Sequence, residues 1–102
     1  VKHMERGVGH RLEQYTIKRP DEVLLVEVAI AGEADQIAIF RGFSSSLMHP
    51  TAADPDIPVL PDEAEIISID RVESPYNPQI PHYIQQGLTW VEMRSLLAEV
   101  GL

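Results

Sequence analysis

The sequence predicts an α+β fold, a small antiparallel sheet of about four strands covered by a C-terminal helix, and three stretches carry that prediction. Residues 22–43 read as two apolar strands joined by a short glycine-containing turn. Residues 65–73 repeat the strand pattern, and residues 89–101 combine helical spacing of apolar side chains with a cap at each end. An SH3-like, partly closed barrel is the alternative arrangement of the same strands.

In the first stretch Leu24, Val26, Val28 and Ile30 fall on one face by period-two alternation, and Val23, Leu25 and Ala29 share the other with Glu27. One face is wholly apolar and the other is mixed. Ala31-Gly32-Glu33-Ala34-Asp35 supplies the connection, with a glycine able to take positive φ and two carboxylates expected in water. The return strand places Ile37 and Ile39 opposite Ala38 and Phe40.

Ahead of this hairpin, residues 1–9 are expected to form an unstructured or tag-derived arm, with His3-Met4 in the position of a tag remnant. Residues 10–102 are expected to form one α+β domain. Tyr15-Thr16-Ile17 favours a strand over residues 11–18, and Pro20 turns the chain into the hairpin, giving a meander. After Phe43 comes a long proline-rich loop, residues 44–63, in which prolines 50, 55, 58 and 61 oppose regular structure. Its apolar members Leu47, Met48, Ile57, Val59 and Leu60 must pack back on the sheet or meet a partner.

Residues 65–73 then alternate, with Ile67 and Ile69 on one face and Ile66, Ser68, Asp70 and Val72 on the other. Ser74-Pro75-Tyr76-Asn77-Pro78 is turn chemistry. Pro81 to Gln86 read as one or two helical turns stopped by Gly87. Thr89-Trp90-Val91-Glu92 fits the capping box, Trp90, Met93, Leu96, Leu97 and Val100 line one side of a helix near 90–100, and Gly101 stands at the C-cap.

Composition limits function. The chain has no cysteine, which removes thiol catalysis, disulfides and cysteine zinc sites. Residues 1–19 carry five basic and two acidic residues, a balance of +3, and residues 20–102 carry three basic and 14 acidic, a balance of −11; together they give the net −8. An acidic body of this kind repels polyphosphate, so nucleic-acid binding is not expected. No apolar run approaches the roughly 20 residues needed to span a bilayer, and a soluble cytoplasmic protein is expected. Gly7-Val8-Gly9 fits neither the dinucleotide nor the P-loop pattern, so no cofactor is implied.

The residues support two functional readings. The first is a protein-interaction module presenting the 44–61 loop, with Phe43, Leu47, Met48 and His49 as anchors ringed by serines and carboxylates. The second is a small hydrolase or metal-dependent enzyme using His49, Asp54 and Asp56, which bring a histidine and carboxylates into one loop beside Ser44 to Ser46. A homodimer through the mixed sheet face, over Val23, Leu25, Phe40 and Val72, is a further arrangement.

The run Ile39-Phe40-Arg41-Gly42-Phe43-Ser44-Ser45-Ser46-Leu47, with Asp54-Pro55-Asp56-Ile57-Pro58-Val59-Leu60-Pro61, resembles a family of small uncharacterised proteins and domains of cyanobacteria and plant plastids. The likeness runs from about Glu22 through the Tyr76-Asn77-Pro78 turn to Trp90 and leaves residues 1–20 uncovered. It implies a cytoplasmic or plastid-stromal setting and carries no functional residue with it.

Overall fold

A computed structural model describes residues 7–47, 60 and 64–102. The elements run in the order α1 (Val8–Lys18), β1 (Glu22–Ile30), β2 (Glu33–Phe40), β3 (Phe43–Ser46), β4 (Glu65–Glu73), β5 (Tyr83–Leu88) and α2 (Trp90–Glu99). The five strands form one open antiparallel sheet in the order β3-β2-β1-β4-β5. This is an α+β fold with an open sheet rather than a barrel.

β1 sits at the centre because it is the strand with the most apolar side chains on both faces. Leu24, Val26 and Val28 are wholly buried on one face, beside Ile37 and Ile39 of β2, Ile69 of β4 and Leu88 of β5. Both helices lie on that face: Val8, Leu12 and Tyr15 of α1 and Met93 and Leu97 of α2 complete the core, with Leu60 closing it. Leu60 is 4% exposed and touches Gly9 so closely that an added Cβ there would stand 3.1 Å from its carbonyl oxygen. On the other face Val23, Leu25 and Val72 form a second buried cluster with Ala38, Phe40 and Tyr76. Of the residues named for a homodimer face, Val23, Leu25 and Val72 are thus buried within one chain and Phe40 is half-buried.

Two hairpins fix the register of β1, β2 and β3. Ala31 and Gly32 have φ of 52° and 81°, and Arg41 and Gly42 have φ of 48° and 86°. Two successive positive-φ residues make the tight turn whose twist matches the strands it joins. The connection after β1 is therefore two residues long, shorter than the three to five expected within Ala31 to Asp35. Asp35 is buried inside β2, where its carboxylate accepts from the Gln36 amide at 2.7 Å and from Ser46 Oγ at 2.9 Å.

The segment expected as a first strand over residues 11–18 is the helix α1, which begins at Val8 inside the expected N-terminal arm. Val8, Leu12, Tyr15 and Thr16 recur at helical spacing and are all buried, so packing of that face outweighs the strand preference of Tyr15-Thr16-Ile17. Residues 81–86, expected as helical turns, belong instead to the approach and body of β5, which pairs with β4 and brings Leu88 into the core. The loop expected from residue 44 begins later, because Phe43–Ser46 pair with β2 as β3.

α2 has the expected form. Thr89 accepts the Glu92 amide at 3.1 Å and the Glu92 carboxylate accepts the Thr89 amide at 3.0 Å. At the other end Gly101 takes φ 81°, its amide reaches the Ala98 carbonyl at 3.1 Å and that of Leu102 the Leu97 carbonyl at 2.8 Å. These two reverse bonds satisfy carbonyls that a helix end leaves without partners.

Candidate functional site

One end of the sheet gathers the turn after α1, the β2–β3 turn and the β4–β5 connection. β3 leaves the Arg41–Gly42 turn with its first residue, Phe43, 78% exposed. Its backbone pairs with Phe40, whose ring carries the Arg41 guanidinium at 5.0 Å. Leu47 comes directly after the strand, 47% exposed, with its amide on the Gln36 carbonyl at 2.8 Å. The backbone thus holds both apolar side chains on a paired edge strand while leaving them in solvent. Of the residues expected as anchors, Phe43 and Leu47 are placed in this way; Met48 and His49 lie outside the described residues, as do Asp54 and Asp56 of the enzymatic reading.

Ser44 and Ser46 are engaged. Ser44 Oγ donates to Glu13 Oε2 of α1 at 2.7 Å, and Ser46 Oγ donates to Asp35. Both hydroxyls therefore tie β3 to its neighbours. Gly42 adds a further tie, its amide donating to Thr16 Oγ1 at 2.9 Å. Among the described residues no group of three or more histidine, aspartate or glutamate side chains could hold a metal ion.

On the helix-covered side a polar network lies under α1. Tyr15 Oη donates to Glu22 Oε1 at 2.7 Å, and Arg71 grips the same carboxylate through Nε on Oε1 at 2.8 Å and Nη2 on Oε2 at 3.0 Å. Arg71 Nη1 also donates to Gln85 Oε1 at 3.0 Å, so the network links α1, β1, β4 and β5. Burial pushes the Tyr15 hydroxyl up to about 12, helped by the adjacent carboxylate. Burial also opposes the charge on Glu22, but the bonds from Arg71 and Tyr15 outweigh it and hold the carboxyl below its usual value. The bond to Glu22 in turn raises Arg71. This arrangement clamps four elements together; it was not read from the sequence, although Glu22 shares the period-two face of Leu24 and Val26, where a carboxylate needs a buried partner.

The β4–β5 connection forms a cleft of about 270 Å³ lined by Glu73, Ser74, Pro75, Asn77, Ile80 and His82. Its shape is set by backbone bonds: the Glu73 amide to the His82 carbonyl at 2.8 Å, the Ser74 amide to the Asp21 carbonyl at 2.8 Å, and the Ile80 amide to the Asn77 carbonyl at 3.1 Å. Asn77 Oδ1 accepts the Gln79 amide at 3.0 Å.

Comparison with known families decides the affiliation, since residues 9–97 match the family described as Domain of unknown function (DUF7734). The chain belongs to this family. The match runs from Gly9 in the first turn of α1 to Leu97 of α2, so all five strands and most of both helices fall within the family's extent. No curated protein and no solved structure matches the chain. Family membership therefore brings no activity or site residue, and function rests on the geometry above. Among the described residues no helix is long and apolar enough to cross a membrane.

Proposed function

We propose that the chain is a small protein-interaction module whose contact surface starts at Phe43 and Leu47 and continues into the 44–61 loop with Met48 and His49. The observation that supports this reading is the 78% exposure of Phe43 on a strand whose backbone is paired and whose Ser44 and Ser46 are tied down. A large aromatic side chain held in solvent on a rigid strand loses little entropy on binding, which suits it to anchor a partner. A cytoplasmic or plastid-stromal setting is proposed with this reading, from the sequence resemblance alone.

The test is capture of partners by the immobilised 102-residue chain, comparing wild type with a Phe43→Ala, Leu47→Ala double variant and with Val91→Ala, which removes another exposed apolar side chain on α2. A stoichiometric protein retained by wild type and Val91→Ala but lost from the double variant is the expected result. Equal retention by all three, with circular dichroism showing intact folds, would remove Phe43 and Leu47 from the contact.

A further inference from the structure

We infer that the cleft between β4 and β5 is a receptor for one basic side chain, arginine or lysine, presented by a binding partner. The site is distinct from the Phe43–Leu47 surface and does not depend on it. Residues 74–91 contain no Asp, Glu, Lys or Arg, a stretch of 18 in a chain that is 24% charged. Glu73, immediately before that stretch, supplies the charge of the cleft.

The rest of the lining suits both the head and the stem of a long cationic side chain. Glu73 offers a carboxylate, Ser74 a hydroxyl, Asn77 the second lone pair of an Oδ1 that already accepts one amide, and His82 an imidazole. Pro75 and Ile80, the latter 63% exposed, offer apolar surface. Long basic side chains need this combination, an acceptor for the head and apolar contact for the methylene stem. A guanidinium can take Glu73 with two parallel bonds, so arginine should bind better than lysine.

Other ligand classes fit less well. An anion would meet the Glu73 carboxylate on a chain whose net charge is −8. A hard metal ion needs several oxygen ligands, and no group of three acidic or histidine side chains is found among the described residues. The acidic body also draws a basic segment toward the cleft before contact is made.

The floor of the cleft is built rather than fortuitous. Glu73 and His82 are joined through their backbones, and Ser74 is joined to Asp21 in the turn before β1, so the lining hangs on the end of β4 and on that turn. Tyr76, within the same connection, packs against Val23, Leu25 and Val72 and anchors it from the other side.

The experiment titrates N-acetyl-arginine amide, N-acetyl-lysine amide and neutral N-acetyl-glutamine amide into the labelled 102-residue chain at low salt, following backbone amide resonances. Saturable shifts confined to Glu73, Ser74, Asn77, Ile80 and His82, stronger with arginine than lysine and absent with glutamine, are expected. Glu73→Gln should weaken binding about fivefold to tenfold, the usual effect of losing a charge-assisted pair. Ile80→Ser should weaken it less, and Glu99→Gln, an exposed carboxylate on α2, should leave it unchanged. Shifts spread over the acidic surface, equal response to Glu73→Gln and Glu99→Gln, or no saturable shift would overturn the assignment. Because the probes are single amino-acid amides, these outcomes are independent of whether Phe43 recruits a protein.

Discussion

Tyr15 and Glu22 meet beneath α1, the phenol donating to the carboxylate at 2.7 Å while Arg71 holds both of its oxygens. Each partner makes the burial of the others tolerable. Tyr15→Phe removes one donor and leaves the guanidinium pair, so a loss of about 1–2 kcal/mol is expected in urea unfolding. Arg71→Met strands a carboxylate that is only 9% exposed, and the expected loss is larger, about 3 kcal/mol. A smaller loss for Arg71→Met than for Tyr15→Phe would mean that the ion pair adds nothing to the clamp.

The same group of residues sets a pH dependence at both ends of the scale. Glu22 has its carboxyl lowered from the ordinary 4.5, so the stability it contributes is complete above that value and is lost as pH falls through the depressed one. Tyr15 is raised from 10.0 to about 12, so the folded state holds its proton more tightly and stability falls as pH rises between those values. Thermal melts of wild type should therefore decline in strong acid and above pH 10. Glu22→Gln should flatten the acid limb relative to wild type, and Tyr15→Phe the alkaline one; unchanged limbs in both variants would contradict the linkage.

A bulge in β4 decides which isoleucine belongs to the core. Strict alternation pairs Ile67 with Ile69, but the register against β1 shifts between Glu27 and Val28. Ile66 then stands opposite Val28 and packs on the main core, while Ile67 is 54% exposed. Ile66→Ala should cost about 2 kcal/mol and Ile67→Ala under about 0.5 kcal/mol. Denaturant midpoints of the two variants measure this directly, and the reverse order would place the bulge elsewhere.

These particulars show what the chain declares locally and what it leaves to tertiary contact. The central strands, β4 and the capped α2 were legible because each carries its own signal: alternation over residues 22–30 and 65–73, and a Thr-x-x-Glu box closed by Gly101. α1 was misread because three β-favouring residues sit at its end, and the helical spacing of Val8, Leu12, Tyr15 and Thr16 matters only once the sheet is there to bury it. β5 was hidden for the same reason, since Pro81 and Gly87 suit a short helix until β4 presents an edge to pair. The Tyr15–Glu22–Arg71 clamp joins three separate elements, with Glu22 and Arg71 49 positions apart, and no local pattern encodes it. Phe43 and Leu47 were legible as exposed apolar residues, whereas the cleft at Glu73 and His82 depends on a connection whose shape comes from backbone bonds.

Two glycines with almost the same φ separate conformational strain from steric contact. Gly32 has φ 81° and an added Cβ there would meet nothing within 4 Å; Gly42 has φ 86° and a Cβ would stand 2.9 Å from Ile17 Cδ1 and 3.0 Å from Cγ1. Gly32→Ala should therefore cost about 1 kcal/mol, the penalty of a left-handed alanine alone. Gly42→Ala should cost more, but Ile17 is 52% exposed and the end of its side chain can turn aside, so the excess is about 1 kcal/mol, the range of a displaced rotamer. Combining Gly42→Ala with Ile17→Ala should bring the cost of the glycine change back to that at Gly32, measured as a double-mutant cycle by chemical unfolding. If the excess persists without Ile17, its source is the turn itself, where the Gly42 amide must keep its 2.9 Å bond to Thr16.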